Sequence, residues 1–174
     1  KVWLCVSDAH KGLEAAIRKT LPGTTWQRCK VHFMRNILAY VPQTHKETVA
    51  SRLKLIWKAP DEKTARALKE DFCREYENRY PKAVECLEQG FEDSIGFYAF
   101  EELDSRKISS TNTLERLNRE IRRRSSVVGI FPSTDSYIRL ITSYLLEYSE
   151  DWQTDRSYMN ASSIKVQREI LFNV

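Results

Sequence analysis

Two acidic residues, far apart in the sequence, have the side-chain type and the surroundings for metal-dependent chemistry on phosphodiesters. Asp8 ends the apolar run KVWLCVSD, and Glu115 lies within SSTNTLERLNREIRRR at 109–124. Carboxylates are the hard oxygen ligands that Mg²⁺ prefers, and a small number of them leaves coordination positions open for water and phosphate. We expect Asp8 and Glu115 to share a divalent cation if the fold brings them together.

Each acid also has a simpler structural interpretation. An Asp that follows a strand often caps the next helix, and Asn112 with Glu115 three residues later is a variant of the capping box, in which Glu115 only helps to start its helix. His10, two residues after Asp8, is either a residue that orients the acid or an ordinary surface histidine. The residues alone leave these alternatives open.

Glu115 lies in a strongly basic stretch. Residues 106–124 contain seven Lys or Arg against two Glu, a local charge of +5 in a chain of net charge +4. Such a helix suits an anionic partner such as a phosphate backbone, although a solvated helix face is the commoner interpretation of a basic run. Leu114, Leu117 and Ile121 recur at helical spacing, so Glu115 is expected to border a buried apolar stripe. The candidate phosphate-contacting residues of this stretch are Arg116, Arg119, Arg122, Arg123 and Arg124.

A third candidate is the pair Cys29 and His32 inside WQRCKVHFMRN. As a zinc site the pair is weak, because no second Cys/His pair follows at finger-like spacing. The sequence favours a structural role for the pair, with His32 hydrogen-bonding to the strand that carries Asp8.

Short strands and many helices are predicted to position these residues. KVWLCVSD predicts a strand buried on both faces, AHKGLEAAIRKTLPG a helix that stops at Pro22-Gly23, and Thr24 to Cys29 a second strand. Helical spacing predicts four helices between residues 30 and 100, with Asp61 capping the third, and two more between 101 and 150. The fold class is therefore α/β, with a polar, weakly patterned end.

The composition of the 174 residues, 41% hydrophobic and 30% charged, is ordinary for a soluble globular protein. Nothing resembles a signal peptide, and no window approaches the roughly 18 apolar residues of a membrane span, so we expect a cytoplasmic protein without a membrane partner. The four cysteines form no CxxC pair, which favours reduced thiols. Without a phosphate-binding glycine loop or GxSxG, neither a nucleotide cofactor nor a small-molecule substrate is expected.

Three blocks, VSDAHKGL, WQRCKVHFMRNILAYVP and STNTLERLNREIRRRSSVVGIFPS, occur in this order and closely resemble the bacterial Mutator-type insertion-sequence transposases. The resemblance covers nearly the whole chain. It implies an RNase H-like catalytic domain with a DDE triad, interrupted by a helical insertion. Asp8 would then be the second acid of the triad and Glu115 the third, and Cys29 and His32 would match the family's C-x2-H motif.

On this resemblance the chain is a partial RNase H-like fold with a large all-helical insertion. Residues 1–29 would form a strand-helix-strand part of the core, 30–100 the insertion, 101–150 core helices that carry the third acid, and 151–174 a tail. The first triad Asp would lie upstream of Lys1, so the chain would be the C-terminal portion of such an enzyme. The family usually has proline where Thr113 stands, a change expected to weaken the helix start slightly.

The implied activity is DNA transposition in the bacterial cytoplasm, at the nucleoid. Two Mg²⁺ or Mn²⁺ ions held by the acids would support strand cleavage and transfer at transposon ends, while the arginines bind the DNA backbone. A homo-oligomer is left open. We expect little or no strand transfer from the chain as it stands, since one carboxylate of the two-metal site is missing. A non-catalytic DNA-binding fragment, whose acids only cap helices, and a degenerate reading frame are the alternatives.

Overall fold

The computed structural model describes residues 2–154 and 158–172. The chain forms two compact units. One unit comprises Lys1–Glu101 and Ile108–Thr111, and the other comprises Glu102–Lys107 and Asn112–Val174. Lys1, at the start of the predicted first strand, and residues 155–157, 173 and 174 of the predicted tail lie outside the described residues. No helix within the described ranges has both the length and the apolar character needed to cross a membrane.

The chain opens with the expected β-α-β unit. Strand β1 is Leu4–Ser7, helix α1 is Lys11–Thr20 and strand β2 is Thr25–Arg28, and the strands pair in parallel from Leu4↔Thr25 to Ser7↔Arg28. Gly23 has φ +75°, a left-handed conformation that suits glycine after a helix end. The prediction that β1 is buried on both faces is wrong, because only Ser7 is buried and the rest of the strand is half-buried. Among the described residues β2 is its only neighbouring strand.

Four helices follow, as the spacing of apolar residues predicts. They are α2 at Lys30–Leu38, α3 at Lys46–Ile56, α4 at Glu62–Tyr76 and α5 at Pro81–Gly90, with 3₁₀ turns at Gln43–His45, Glu92–Ser94 and Gly96–Ala99. Asp61 caps α4 as expected, because its carboxylate accepts a hydrogen bond from the Thr64 N–H at 2.7 Å. The core between these helices is fully buried at Phe33, Ile37, Leu53, Ile56 and Leu87.

A buried glutamine ties the end of this helical region to the sheet. The side chain of Gln27 on β2 is fully buried, and its Oε1 accepts from the Phe97 N–H at 2.9 Å. Its Nε2 donates to the Ser94 carbonyl at 2.8 Å. The Trp57 indole also donates to the Ser94 hydroxyl, at 3.0 Å. Because each bond satisfies a polar group away from water, the 3₁₀ turns have a fixed place against β2.

Close packing against β2 also explains why residue 90 is a glycine. The guanidinium of Arg28 lies 4.0 Å from the centre of the Phe33 ring, and burial lowers the pKa of Arg28. A Cβ at Gly90 would lie 2.8 Å from two Phe33 ring atoms and would overlap the Arg28 side chain. Residue 90 therefore has no room for a larger side chain.

The remaining helices are α6 at Ser105–Ile108, α7 at Asn112–Val128, α8 at Thr134–Thr154 and α9 at Ala161–Phe172. Gly129, with φ +75°, ends α7, and its N–H donates to the Ser125 carbonyl at 3.3 Å. Helix α9 is not expected from the sequence, which predicts a tail there. Its one buried residue is Gln167, whose Oε1 accepts from the Glu102 N–H at 3.1 Å.

Candidate functional site

Asp8 follows β1 directly and is exposed, on a backbone that is held in place. The Ser7 hydroxyl donates to the Asp8 carbonyl oxygen at 2.8 Å, and it accepts a hydrogen bond from the Trp26 indole N–H at 2.8 Å. Within the described part of the chain, the Asp8 carboxylate has neither a hydrogen bond nor an ion pair. The interpretation of Asp8 as a helix cap is wrong, because α1 is capped by another residue.

That residue is His10. Its Nδ1 accepts a hydrogen bond from the Leu13 N–H at 3.4 Å, at the N-terminus of α1. His10 is exposed, which agrees with the surface-histidine interpretation and adds a capping role. The carboxylate of Asp8 is thereby left for other chemistry.

Cys29 connects two parts of the chain that are distant in sequence. It is fully buried after β2, and its N–H donates to the Ser7 carbonyl at 2.7 Å. Its sulfur accepts hydrogen bonds from both the N–H and the hydroxyl of Thr111, each at 3.4 Å. The next residue, Lys30, donates from its N–H to the Ser109 carbonyl at 3.0 Å. The segment that precedes α7 is therefore bonded to the residues that follow β2.

His32, the second member of the C-x2-H pair, is half-buried in the first turn of α2. No group of three or more His, Cys, Asp or Glu side chains among the described residues could hold a metal ion. The contacts of Cys29 agree with a structural role for that residue, and a hydrogen bond from His32 to the strand that carries Asp8 stays a prediction.

Glu115 lies exposed in the first turn of α7, which begins at Asn112. The residues beside Glu115 form a concavity of about 500 Å³, lined by Asn112, Glu115, Arg116, Asn118, Arg119 and Arg122. Three of the five candidate arginines therefore line the same concavity as Glu115. We call these three, Arg116, Arg119 and Arg122, the α7 arginine face.

The other two arginines are engaged with their own neighbours. Arg123 donates to Glu120 at 3.0 Å. The Arg124 guanidinium lies 4.0 Å from the centre of the Tyr144 ring on α8 and 3.9 Å from a Glu147 oxygen. The α7 arginine face, in contrast, has no ion pair within the described ranges. Its positive charge is therefore available to a phosphate, whereas that of Arg123 and Arg124 is partly neutralised.

The apolar stripe beside Glu115 is only partly buried. Leu117 and Ile121 are half-buried, but Leu114 is 56% exposed. The expectation of a buried Leu114 is therefore wrong, because the start of α7 is less covered than its middle.

Comparison with known proteins decides the family. Residues 1–155 match the model of a family described as "Transposase, Mutator family". The chain belongs to the Mutator family of transposases. The matched range includes Asp8, Cys29, His32, Glu115 and the α7 arginine face.

Individual insertion-sequence transposases are similar to nearly the whole chain. It is 36% identical, over 97% of its length and 42% of the relative's, to the transposase for insertion sequence element ISRM5 of Rhizobium meliloti. It is 39% identical, over 90% of its length and 41% of the relative's, to the transposase for IS256 in transposon Tn4001 of Staphylococcus aureus. It is 38% identical, over 98% of its length and 41% of the relative's, to the transposase for IS1081 of Mycobacterium tuberculosis. The chain thus spans about two-fifths of the length of these relatives.

Thr113 stands at the position where the family resemblance predicts proline. Its hydroxyl donates to the Tyr158 hydroxyl at 2.5 Å, which in turn donates to the Lys107 carbonyl at 3.1 Å. Proline has no side-chain donor for such a bond. Threonine therefore contributes a contact near the start of α7 that proline could not make.

Proposed function

We propose that this chain carries part of the active site of a DDE-type DNA transposase, which cleaves and transfers DNA strands at transposon ends within an RNase H-like core. The observation that carries the proposal is that Glu115 lines one concavity with Arg116, Arg119 and Arg122 on α7. A carboxylate beside cations that lack acidic partners suits a group that must approach a phosphodiester.

The contacts of Cys29 join the stretches of chain that precede Asp8 and Glu115. Asp8 follows Ser7 in the chain, and Glu115 lies one helical turn after Thr111. Ser7 and Thr111 both hydrogen-bond to Cys29. In this proposal Cys29 fixes Ser7 and Thr111 within one compact unit, and the joint action of Asp8 and Glu115 rests on the chemistry of the two carboxylates.

The two acids have the donor chemistry for Mg²⁺ or Mn²⁺. Both are exposed carboxylates, and hard oxygen ligands suit either ion. When bound, such a cation supplies a Lewis acid that activates water toward a phosphodiester and stabilises the leaving oxygen. Ser7 fixes the backbone that presents Asp8, and the α7 arginine face binds the DNA phosphates, so that the strand to be cut is held beside Glu115.

Mn²⁺ binding to the chain tests the proposed roles of the acids. We expect the wild type to bind Mn²⁺ weakly, as measured by electron paramagnetic resonance. In Asp8→Asn and in Glu115→Gln the Mn²⁺ affinity should fall by roughly tenfold or more. Glu88→Gln, which removes an exposed carboxylate on α5, is the matched control and should bind Mn²⁺ like the wild type.

A result in which both acid variants keep the Mn²⁺ affinity of the control would overturn the catalytic assignment. If DNA binding persisted in the same variants, the chain would be a non-catalytic DNA-binding module. Because Asp8 and Glu115 are exposed, their amide variants should fold, which circular dichroism would verify.

A further inference from the structure

A second basic concavity lies between α2 and α3, in the unit that contains the sheet. It has a volume of about 340 Å³ and is lined by Lys30, Val31, Met34, Lys54, Trp57 and Lys58. Three of these six side chains carry a positive charge and none carries a negative one. We call this concavity the lysine groove.

The floor of the lysine groove is apolar and fixed. Trp57 is only 4% exposed, its ring packs edge-on against Phe33 at 5.7 Å between centroids, and its indole donates to the Ser94 hydroxyl at 3.0 Å. Val31 and Met34, one turn apart on α2, are half-buried beside it. A tryptophan held at both its ring and its N–H keeps its position when a ligand arrives.

The three lysines of the groove lie on or next to the two helices that line it. Lys30 begins α2, and its Nζ lies 5.8 Å from the centre of the Phe97 ring. On the other side, Lys54 belongs to the last turn of α3, and Lys58 follows the helix end. Lys54 and Lys58 are exposed, and neither pairs with an acid anywhere in residues 2–154 or 158–172. Two unpaired ammonium groups four residues apart, at Lys54 and Lys58, fit a ligand with more than one phosphate.

We propose that the lysine groove is a second binding site for the phosphodiester backbone of DNA, separate in sequence from α7. The proposal rests on the DNA-directed function proposed above. Phosphates would contact the ammonium groups of Lys54 and Lys58, while the sugar packs on the apolar floor. The contacts are to backbone and sugar, so the site binds DNA without selecting its sequence and contributes to the salt dependence of binding.

Protection of lysines from acetylation locates the occupant. The wild-type chain is treated with an N-hydroxysuccinimide acetate, with and without a 30-base-pair duplex, and modification of each lysine is read by mass spectrometry. We expect the duplex to lower the acetylation of Lys54 and Lys58 several-fold. The exposed Lys63 and Lys82, which lie outside the groove, serve as internal controls and should change little. A parallel sample with dATP at equal phosphate concentration should protect neither groove lysine.

Binding measurements provide the second test. In fluorescence anisotropy titrations, Lys54→Gln with Lys58→Gln should reduce the slope of log affinity against log salt by about 1.8, the value for two lost phosphate contacts. The control pair Lys63→Gln with Lys82→Gln removes the same charge from the same unit and should leave the slope nearly unchanged.

The outcomes separate this proposal from the proposed function. Suppose that the wild type binds DNA and loses affinity on mutation of the α7 arginine face, but that the salt slope of the groove variant equals that of its control. The proposal that the lysine groove binds DNA is then wrong, and the proposed function stands. Equal protection by dATP overturns DNA as the occupant. If the wild type does not bind DNA at all, both proposals fail. Loss of binding in the groove variant without loss of Mn²⁺ affinity in the acid variants supports the groove and overturns the catalytic roles.

Discussion

The indole N–H of Trp26 donates a hydrogen bond to the hydroxyl of Ser7 at 2.8 Å, from one strand of the sheet to the other. The same hydroxyl donates to the carbonyl of Asp8, so the side chain of Trp26 constrains the backbone of a candidate metal ligand. Trp26 is half-buried, and its N–H makes a contact that the spacing of apolar residues does not predict.

Replacement of Trp26 by Phe should therefore lower both the Mn²⁺ affinity and the free energy of unfolding. Loss of the donor removes one hydrogen bond, worth about 1 kcal/mol of the free energy of unfolding. Ser7→Ala removes the same bond from the other side, so the two changes should be non-additive in a double-mutant cycle measured by urea denaturation. Mn²⁺ affinity that is unchanged in the folded Trp26→Phe chain would contradict the positioning role.

Cys29→Ala should destabilise the chain by roughly 1–3 kcal/mol, because it removes the acceptor of two hydrogen bonds and a fully buried thiol. Thr111→Val removes one of these donors. The two variants should show a coupling energy of at least about 0.5 kcal/mol in a double-mutant cycle. Strict additivity in chemical denaturation would show that the sulfur contacts contribute nothing.

Gly90→Ala should lower the free energy of unfolding by about 1–3 kcal/mol, because the new methyl group meets the buried Phe33 ring. Gly12→Ala is the matched control. Gly12 lies in the first turn of α1, where a Cβ would approach only the exposed His10 ring, at 3.2 Å. This control should be neutral or stabilising, since alanine favours a helix. Equal melting temperatures for both variants would refute the packing argument.

Cys73 should react slowly with iodoacetamide. Burial raises the pKa of its thiol from 9.0 to about 11, so at pH 8 its thiolate population is roughly a hundredfold below that of an ordinary cysteine. The unfolded chain ionises this thiol near pH 9, whereas the folded chain retains the proton. The free energy of unfolding should consequently fall as pH rises from 9 to 11. Mass spectrometry of the alkylated native and urea-unfolded chains measures the difference in reactivity. Rapid labelling of Cys73 in the native chain would contradict the prediction.

The α7 arginine face should dominate the arginine contribution to DNA affinity. Arg116→Gln with Arg119→Gln should reduce the salt slope of binding by about 1.8. Arg123→Gln with Arg124→Gln removes equal charge, but these side chains already contact Glu120, Glu147 and Tyr144, so the slope should change less. Anisotropy titrations at several salt concentrations compare the pairs. A larger effect from the second pair would reverse the assignment.

Patterns of neighbouring residues made much of the fold predictable. The β-α-β opening and the four helices from α2 to α5 follow from apolar spacing and from signals such as the Asp61 cap. Helix α9 escaped prediction because its buried residue is a glutamine, Gln167, so hydrophobicity marks no inner face. Gln27 was missed for a related reason, since its partners Ser94 and Phe97 lie far along the chain.

The candidate site divides in the same way. Helical periodicity places Glu115 beside arginines without any knowledge of tertiary structure. Which arginines stay available depends on Tyr144 and Glu147 of α8, and sequence spacing cannot show that contact. The capping of α1 by His10 and not by Asp8 likewise depends on where the turn after β1 places each side chain. The joint action of Asp8 and Glu115 stays a prediction.

The bond between the Lys30 N–H and the Ser109 carbonyl has a consequence for how such chains can diversify. The polypeptide leaves the end of β2 at residue 30, and residue 109 returns to hydrogen-bonding distance of that residue. Insertions are tolerated best where the departing and returning ends are neighbours. Loops between those two positions that make no contact with the sheet could accordingly change in length during evolution while the end of β1 that displays Asp8 keeps its geometry.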